Sequence, residues 1–337
     1  MIVIRPITKK DQGIFAEFSF ESLLGMTNLP RDRDKLEEKI ILSETSFRQS
    51  IERPRKEEYY FVLEDLTTGR IGGTCGILAR NSQSRDLFYR IETIETMARH
   101  ISAPKEIKIL RVVTDTARMS EVCSLYLQPT FRHGGQGRLL SLSRFLFIAA
   151  HRRRFEKKIL AEMRGYINDR QISPFWEAVG RHFCNLSFVE LMAQLDQDRT
   201  FISEILPKYP IYISLLPPET QEIIGKTHDS TKPALAMLLQ ENFIHSQEID
   251  IFDGGPLLFA TTSNIRTIKN SSVIKISMTS DLLPENTEFI LSNEQLDFRA
   301  CFGRVHLTSK MHGIINEQVA DALRVKKGDM IRYVAIH

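Results

Sequence analysis

The sequence predicts an α+β protein: a mixed, mostly antiparallel sheet flanked by helices, with a small β-rich module at the C-terminal end. Three observations predict it. Apolar, β-branched runs near the start are separated by turn words short enough for neighbouring strands to fold back on each other. Further on, the strand-like run Glu121–Leu127 passes through a glycine-rich loop into a long amphipathic helix. Beyond about Ser271 the pattern changes to short strands and one small helix.

Ile2 to Ile7 is apolar and β-branched, hence a strand, and Asp11 is placed to cap a helix that runs to about Ser22. Leu23 to Pro30 breaks the pattern before a second helix, Asp34 to Ile51. Tyr59–Asp65 and Ile71–Arg80 flank Leu66-Thr67-Thr68-Gly69-Arg70, an antiparallel hairpin. Pro129 stops the strand Glu121–Leu127. Arg138 to Phe155 is then helical, with Leu139, Leu142 and Leu146 on one side, and Lys158 to Met163 returns as a strand. From Ser173 to about Gln240 the chain is mainly helical, punctuated by Pro207, Pro210, Pro217 and Pro218. Ile249–Phe252 and Leu257–Thr262 are short strands on either side of the turn Asp253-Gly254-Gly255-Pro256. A helix over Glu317–Leu323 and a last strand through Ala335 complete the expected order.

Composition narrows the function classes. With 337 residues, 42% hydrophobic and 26% charged, the chain has enough apolar side chains for a sizeable core. A net charge of +3 argues against nucleic acid or a membrane surface as a general partner. No apolar run approaches the roughly 18 residues of a membrane span, and Met1 to Pro6 lacks the layout of a signal peptide, so a cytoplasmic protein is expected. Cys75, Cys123, Cys184 and Cys301 are too scattered for a metal or disulfide framework and read as small core residues. Phe175 and Trp176 read as core, and the basic run His151 to Arg154 with Lys157 and Lys158 as a solvated helix end.

The chemistry is concentrated in Arg132-His133-Gly134-Gly135-Gln136-Gly137, an Arg-x-x-Gly-x-Gly word between strand and helix. A pyrophosphate needs converging N–H donors and a backbone without obstructing Cβ atoms; glycines and a helix N-terminus supply both. The spacing does not fit the dinucleotide fingerprint, and Gly137 is followed by Arg138 rather than the lysine of a nucleoside-triphosphate loop. Alone, the word is also compatible with an ordinary tight connection. Together, strand, proline, Arg-x-x-Gly-x-Gly and amphipathic helix resemble the coenzyme-A loop of GNAT acyltransferases.

The flanking words narrow the resemblance. Ser141-Leu142-Ser143-Arg144-Phe145, Ala161-Glu162-Met163-Arg164-Gly165, Ser173-Pro174-Phe175-Trp176, Pro210-Ile211-Tyr212 and Ile249-Asp250-Ile251-Phe252-Asp253-Gly254-Gly255-Pro256 resemble the arginine N-succinyltransferase family in order and approximate spacing. The similarity runs from Ile4-Arg5-Pro6 to Val325–Asp329. It implies a GNAT-like fold, with an acyl-CoA-binding domain over 1–180, a helical and hairpin region over 181–270 that completes the active site, and the terminal module over 271–337.

It further implies transfer of the succinyl group of succinyl-CoA, a co-substrate rather than a permanently bound cofactor, to the α-amine of L-arginine. The products are N2-succinyl-L-arginine and CoA, the opening step of a route of arginine catabolism. Leu125 matches the family's succinyl-CoA contact, through its backbone, and Arg132, Gly134, Gly135, Gln136 and Gly137 form the cofactor loop. His228 matches the proton-donating histidine, a role that suits an imidazole near neutral pH. Glu162 and Arg164 are the candidate substrate residues, one for a guanidinium and the other for a carboxylate. No metal is implied, and a homo-oligomer is compatible with the resemblance. The chain departs from the family pattern at Leu23–Met26, Asp115–Arg118 and Leu257–Phe259, where a histidine and a carboxylate are lost. The acceptor therefore stays open between arginine and ornithine or another amine, and a non-catalytic CoA-binding protein is the remaining reading.

Overall fold

The computed structural model describes residues 1–22, 28–81, 87–96, 105–114, 118–198, 200–280 and 288–336. Strand β1 (Ile2–Pro6) lies antiparallel to β2 (Glu58–Asp65), and β2 closes the expected hairpin with β3 (Arg70–Leu78). A longer hairpin of β4 (Leu87–Thr96) and β5 (Lys105–Thr114) follows, which no periodicity argument above foresaw. Next come β6 (Ser120–Leu127), β7 (Lys158–Glu162), the short β8 (Ile211–Tyr212), β9 (Ile244–Ile249) and β10 (Pro256–Thr261). The terminal region supplies β11 (Ser272–Thr279), β12 (Glu288–Asn293), β13 (Ala300–Arg304), β14 (His306–Ser309), β15 (His312–Asn316) and β16 (Met330–Ala335).

The described strands form one sheet, in the order β14-β15-β11-β16-β12-β13-β1-β2-β3-β6-β7-β10-β9-β4-β5-β8. Only β6 with β7 and β11 with β15 run parallel, so the sheet is mixed and mostly antiparallel, as expected. The β6–β7 crossover carries a long helix and places its N-terminus after the end of β6.

Three helices cover the first part of the sheet: α1 (Gln12–Glu21), α2 (Arg33–Arg48) and α3 (Gln136–Ala150). Asp11 does not cap α1 with its side chain. Its carboxylate instead accepts from the Thr8 amide at 2.8 Å and from both terminal nitrogens of Arg5, because a half-buried guanidinium is the stronger partner. Asp32 is the side-chain cap of α2, accepting from the amides of Asp34 and Lys35, and α2 stops at Arg48 rather than Ile51. Helix α3 ends at Ala150, and a short 3-10 turn takes Arg152–Arg154.

That turn corrects the solvated-helix-end reading for Arg154, which is buried. Its Nη1 donates to Ser46 O and Tyr59 Oη, both at 3.1 Å, and its Nη2 donates to Gln49 O at 2.7 Å. The core beside it is aromatic: Phe47, Tyr59, Phe61, Phe147, Phe155 and Phe298 meet at centroid distances between 5.1 and 5.9 Å, mostly edge to face. Phe175 and Trp176 are buried in a second apolar cluster with Phe188 and Leu191, in agreement with their reading as core. Cys75, Cys123 and Cys301 are buried and unbridged.

The turn at 250–256 also shifts an expected element. Ile251 and Phe252 belong to the turn, and the strand before it is β9, which starts five residues earlier than expected. Asp250 causes this, because its Oδ1 accepts from the amides of Phe252 and Asp253 and curls the chain before a strand can continue.

Candidate functional site

Strand β6 carries two irregularities that free its backbone. The ladder to β3 pairs Cys123 with Gly76 and Tyr126 with Thr74, so β6 holds one extra residue between them. Ser124 takes φ 52°, the left-handed conformation that such a bulge needs. On the other edge, β7 pairs with β6 only at Ser120 and Glu121. Leu125 thus lies in the bulge towards β3 and beyond the last residue that pairs with β7.

The loop after β6 prolongs this free backbone. Gly134 and Gly135 adopt φ 57° and 76°, which only glycine enters without strain. A Cβ on Gly135 would also lie 3.3 Å from the Phe302 ring of β13. Among the described residues the amides of Gly134, Gly135 and Gly137 have no backbone acceptor, while Gly135 O accepts from Arg138 and Leu139 to start α3. The result is a row of outward N–H groups at a helix N-terminus, the arrangement that binds phosphate. Gln136 is buried in the first turn and its backbone amide already donates to His133 O at 3.1 Å, so neither its side chain nor its N–H is left free for this role. Arg132 is exposed, and its Nε donates to Leu127 O at 2.9 Å, tying the loop back to the strand end.

Across the gap where β6 and β7 no longer pair, the chain leaving β7 is tied to two distant turns. Met163 N donates to Pro256 O at 3.0 Å, Gly165 N to Asp253 Oδ2 at 2.8 Å, and Gly255 N to Asp253 Oδ1 at 2.8 Å. Gly255 has to be glycine here, since a Cβ would fall 2.0 Å from Met163 O. Gly225 N donates to Gly254 O at 2.8 Å, and His228 N donates to Arg164 O at 2.9 Å. Three segments separated by tens of residues thereby meet, and His228 comes to lie on the Arg164 backbone.

The His228 ring is half-buried beside Tyr166, at a centroid distance of 5.9 Å. Its Nδ1 accepts from the Ser230 amide at 3.1 Å and lies 2.7 Å from Ser230 Oγ. That assigns the ring proton of the neutral imidazole to Nε2. Burial, reinforced by the positive charge of Arg164, lowers the pKa of His228 below its ordinary value and favours this neutral form.

Glu162 and Arg164 line one small cavity of about 30 Å³, together with Asp250, Asp253, Phe188 and Phe252. Nε and Nη1 of Arg164 are buried and have no acceptor among the described residues. Burial pulls the guanidinium pKa down to about 10, against the opposing attraction of Asp253. Burial and the neighbouring charge of Asp250 push the Asp253 carboxyl upward. An unpaired buried guanidinium is costly, and a carboxylate ligand would satisfy it.

Of the residues singled out from sequence, Leu125 and the Arg132–Gly137 loop lie on β6 and the turn into α3, whereas Glu162, Arg164 and His228 come together at the end of β7. Asp250, Asp253, Tyr166 and Ser230 join the second group without having been recognised. The Asp250-x-x-Asp253-Gly-Gly spacing was the available signal, but it reads only as a turn until Gly165 is seen to donate into it. Of the departures from the family pattern, Leu257 and Leu258 are buried in β10 and Phe259 lies beneath Lys158, while 23–26 and 115–117 fall outside the described residues. No group of three or more His, Cys, Asp or Glu among the described residues could hold a metal, and no helix there is long and apolar enough to cross a membrane.

The family model described as arginine N-succinyltransferase beta subunit matches residues 2–267, and that of its C-terminal domain matches residues 274–335. The chain is 34% identical to the arginine N-succinyltransferase subunit alpha of Pseudomonas aeruginosa over 340 residues, covering all of both chains. It is 32% identical to the arginine N-succinyltransferase of Yersinia enterocolitica, covering all of this chain and 98% of the other. The solved structure of the arginine/ornithine succinyltransferase subunit AI from Pseudomonas aeruginosa superimposes with a TM-score of 0.89 at 32% identity, covering 100% of this chain and 99% of that one.

Proposed function

This chain belongs to the arginine N-succinyltransferase family, and we propose that it transfers the succinyl group of succinyl-CoA to the α-amine of L-arginine. The observation that carries the reading is the parting of β6 from β7 at Leu125, with a row of glycine amides at one end of the gap and His228 on its far side. The pyrophosphate of CoA sits on the amides of Gly134, Gly135 and Gly137, with Arg132 adding its charge. The pantetheine arm then adds to the unpaired edge of β6, and the Leu125 backbone bonds the thioester region, as a further strand would.

In the reaction the amine nitrogen bonds to the thioester carbon, the C–S bond breaks with its electron pair on sulfur, and one proton passes from nitrogen to sulfur. The neutral His228 relays that proton, giving its Nε2–H to the leaving sulfur while Nδ1 takes up the amine's proton through Ser230 Oγ; its orientation is set by Ser230 and its position by the Arg164 carbonyl. Arg164 takes a substrate carboxylate and Glu162 a substrate cation, the two side chains meeting at the small cavity they line. Ornithine is a second acceptor to be weighed, because the solved relative is named for both amines. The subunit wording of the Pseudomonas aeruginosa names likewise supports assembly with copies of this or a sister chain.

The test is thiol release with succinyl-CoA and acetyl-CoA, each against arginine, ornithine and lysine. The expected result is turnover with succinyl-CoA and arginine. Turnover with acetyl-CoA alone, or with none of the amines, contradicts the proposal.

A further inference from the structure

Arg144 is the second buried guanidinium near the gap, and nothing in the proposed chemistry uses it. It lies on α3, is 2% exposed, and among the described residues has no carboxylate within ion-pair distance. Its Nε donates to Ser141 O at 3.0 Å, its Nη2 to Ser141 Oγ at 2.9 Å, and its Nη1 reaches Cys123 O at 3.5 Å. The ionisable groups facing it are two thiols, Cys75 from β3 and Cys123 from β6. Both are held protonated, since burial pushes Cys75 up to about 12 and Cys123 further. Among the described residues the cation therefore has no countercharge. A neutral side chain of similar length would fill the same space at far lower cost to folding.

Its place on β6 suggests what answers the charge. Cys123 is two residues beyond Glu121, the last β6 residue paired to β7, and two before Leu125. The guanidinium thus bonds strand backbone where the β7 partner has departed, directly before the bulge at Ser124. We propose that Arg144 is a positioning residue for the transfer reaction: it holds the β6 edge apart from β7 and sets a fixed positive charge behind the point where the CoA sulfur leaves as thiolate. This rests on β6 being the acyl-carrying strand. Negative charge appears on sulfur only as the C–S bond breaks, so the cation favours the transition state over bound thioester.

CoA itself is the probe. Ultraviolet absorbance of the thiolate, followed against pH for CoA bound to the full-length protein, gives the ionisation of its thiol. In the unmodified protein the bound thiol is expected to ionise about one pH unit below free CoA, the scale of effect of one nearby buried charge. Arg144→Met should remove that shift and lower kcat with succinyl-CoA about tenfold, with KM little changed. Its melting temperature should stay level or rise, because a buried unpaired charge has gone. Arg144→Lys should keep part of the shift. An unshifted thiol in the unmodified protein, or an unchanged thiol and kcat in Arg144→Met, overturns the inference. So does a melting temperature that falls in Arg144→Met, with activity lost in proportion to unfolding, which would make Arg144 a structural peg. A protein that binds no CoA at all fails at the earlier step, the reading of β6, and takes this inference with it.

Discussion

The two walls of the gap are built on different principles. The β6–α3 wall uses main chain: an extra residue at Ser124, a strand edge that β7 abandons, and glycines in left-handed conformations. The β7 wall uses side chains, His228, Arg164 and Glu162, assembled by hydrogen bonds among segments around 164, 228 and 253. The difference teaches where function can be read. Main-chain chemistry must be encoded locally, because the residues that release the backbone are the ones that bind. A side-chain constellation only needs its members to converge in space.

This contrast predicts that damage to one wall spares the work of the other. His228→Ala should lower kcat by about 100-fold, the usual scale for losing a proton-transfer group, while CoA affinity stays within about twofold. Steady-state rates and a CoA titration check both halves, and equal losses in the two would break the distinction. Arg164→Met should raise KM for whichever substrate carries the recognised carboxylate by about tenfold, as expected when a charge-assisted hydrogen bond is lost. Comparing arginine with agmatine, its decarboxylated analogue, on the variant tells whether that carboxylate is the acceptor's.

The smallest effect is on pH. His228 is needed neutral in the free enzyme, and burial together with Arg164 lowers its pKa, so the acid limb of kcat/KM should lie below 6.5. Activity is then present above that limb and lost as pH falls through it. In Arg164→Met the limb should move up towards 6.5, since one of the two depressing causes is gone. A limb that stays put would separate His228 from Arg164 electrostatically, whatever their backbone bond.

The same contrast explains how much was legible. Strand, proline, glycine word and helix lie within 121–150, so the loop and the fold class follow from local pattern alone. The β4–β5 hairpin escaped because part of its lateral pairing is ionic. Arg90 meets Glu248 of β9 and Arg111 meets Glu92, and those charges dilute the apolar alternation that marks a strand. Arg154 escaped for the opposite reason: a basic run looks solvated until Tyr59 and the α2 end are seen around it. Asp253 could be read as a turn former, but its second role, accepting from Gly165 across 88 residues, has no sequence signature.

The most direct test of the account is a calorimetric titration of CoA into the full-length protein and into Gly135→Val. The left-handed glycine with the Phe302 ring beside it leaves no room for a branched side chain. Saturable binding by the unmodified protein, weakened at least about tenfold in Gly135→Val with the fold retained, is the predicted result. Absence of CoA binding by the unmodified protein, or equal affinity in the two, would contradict the central claim that this stretch of main chain grips the diphosphate.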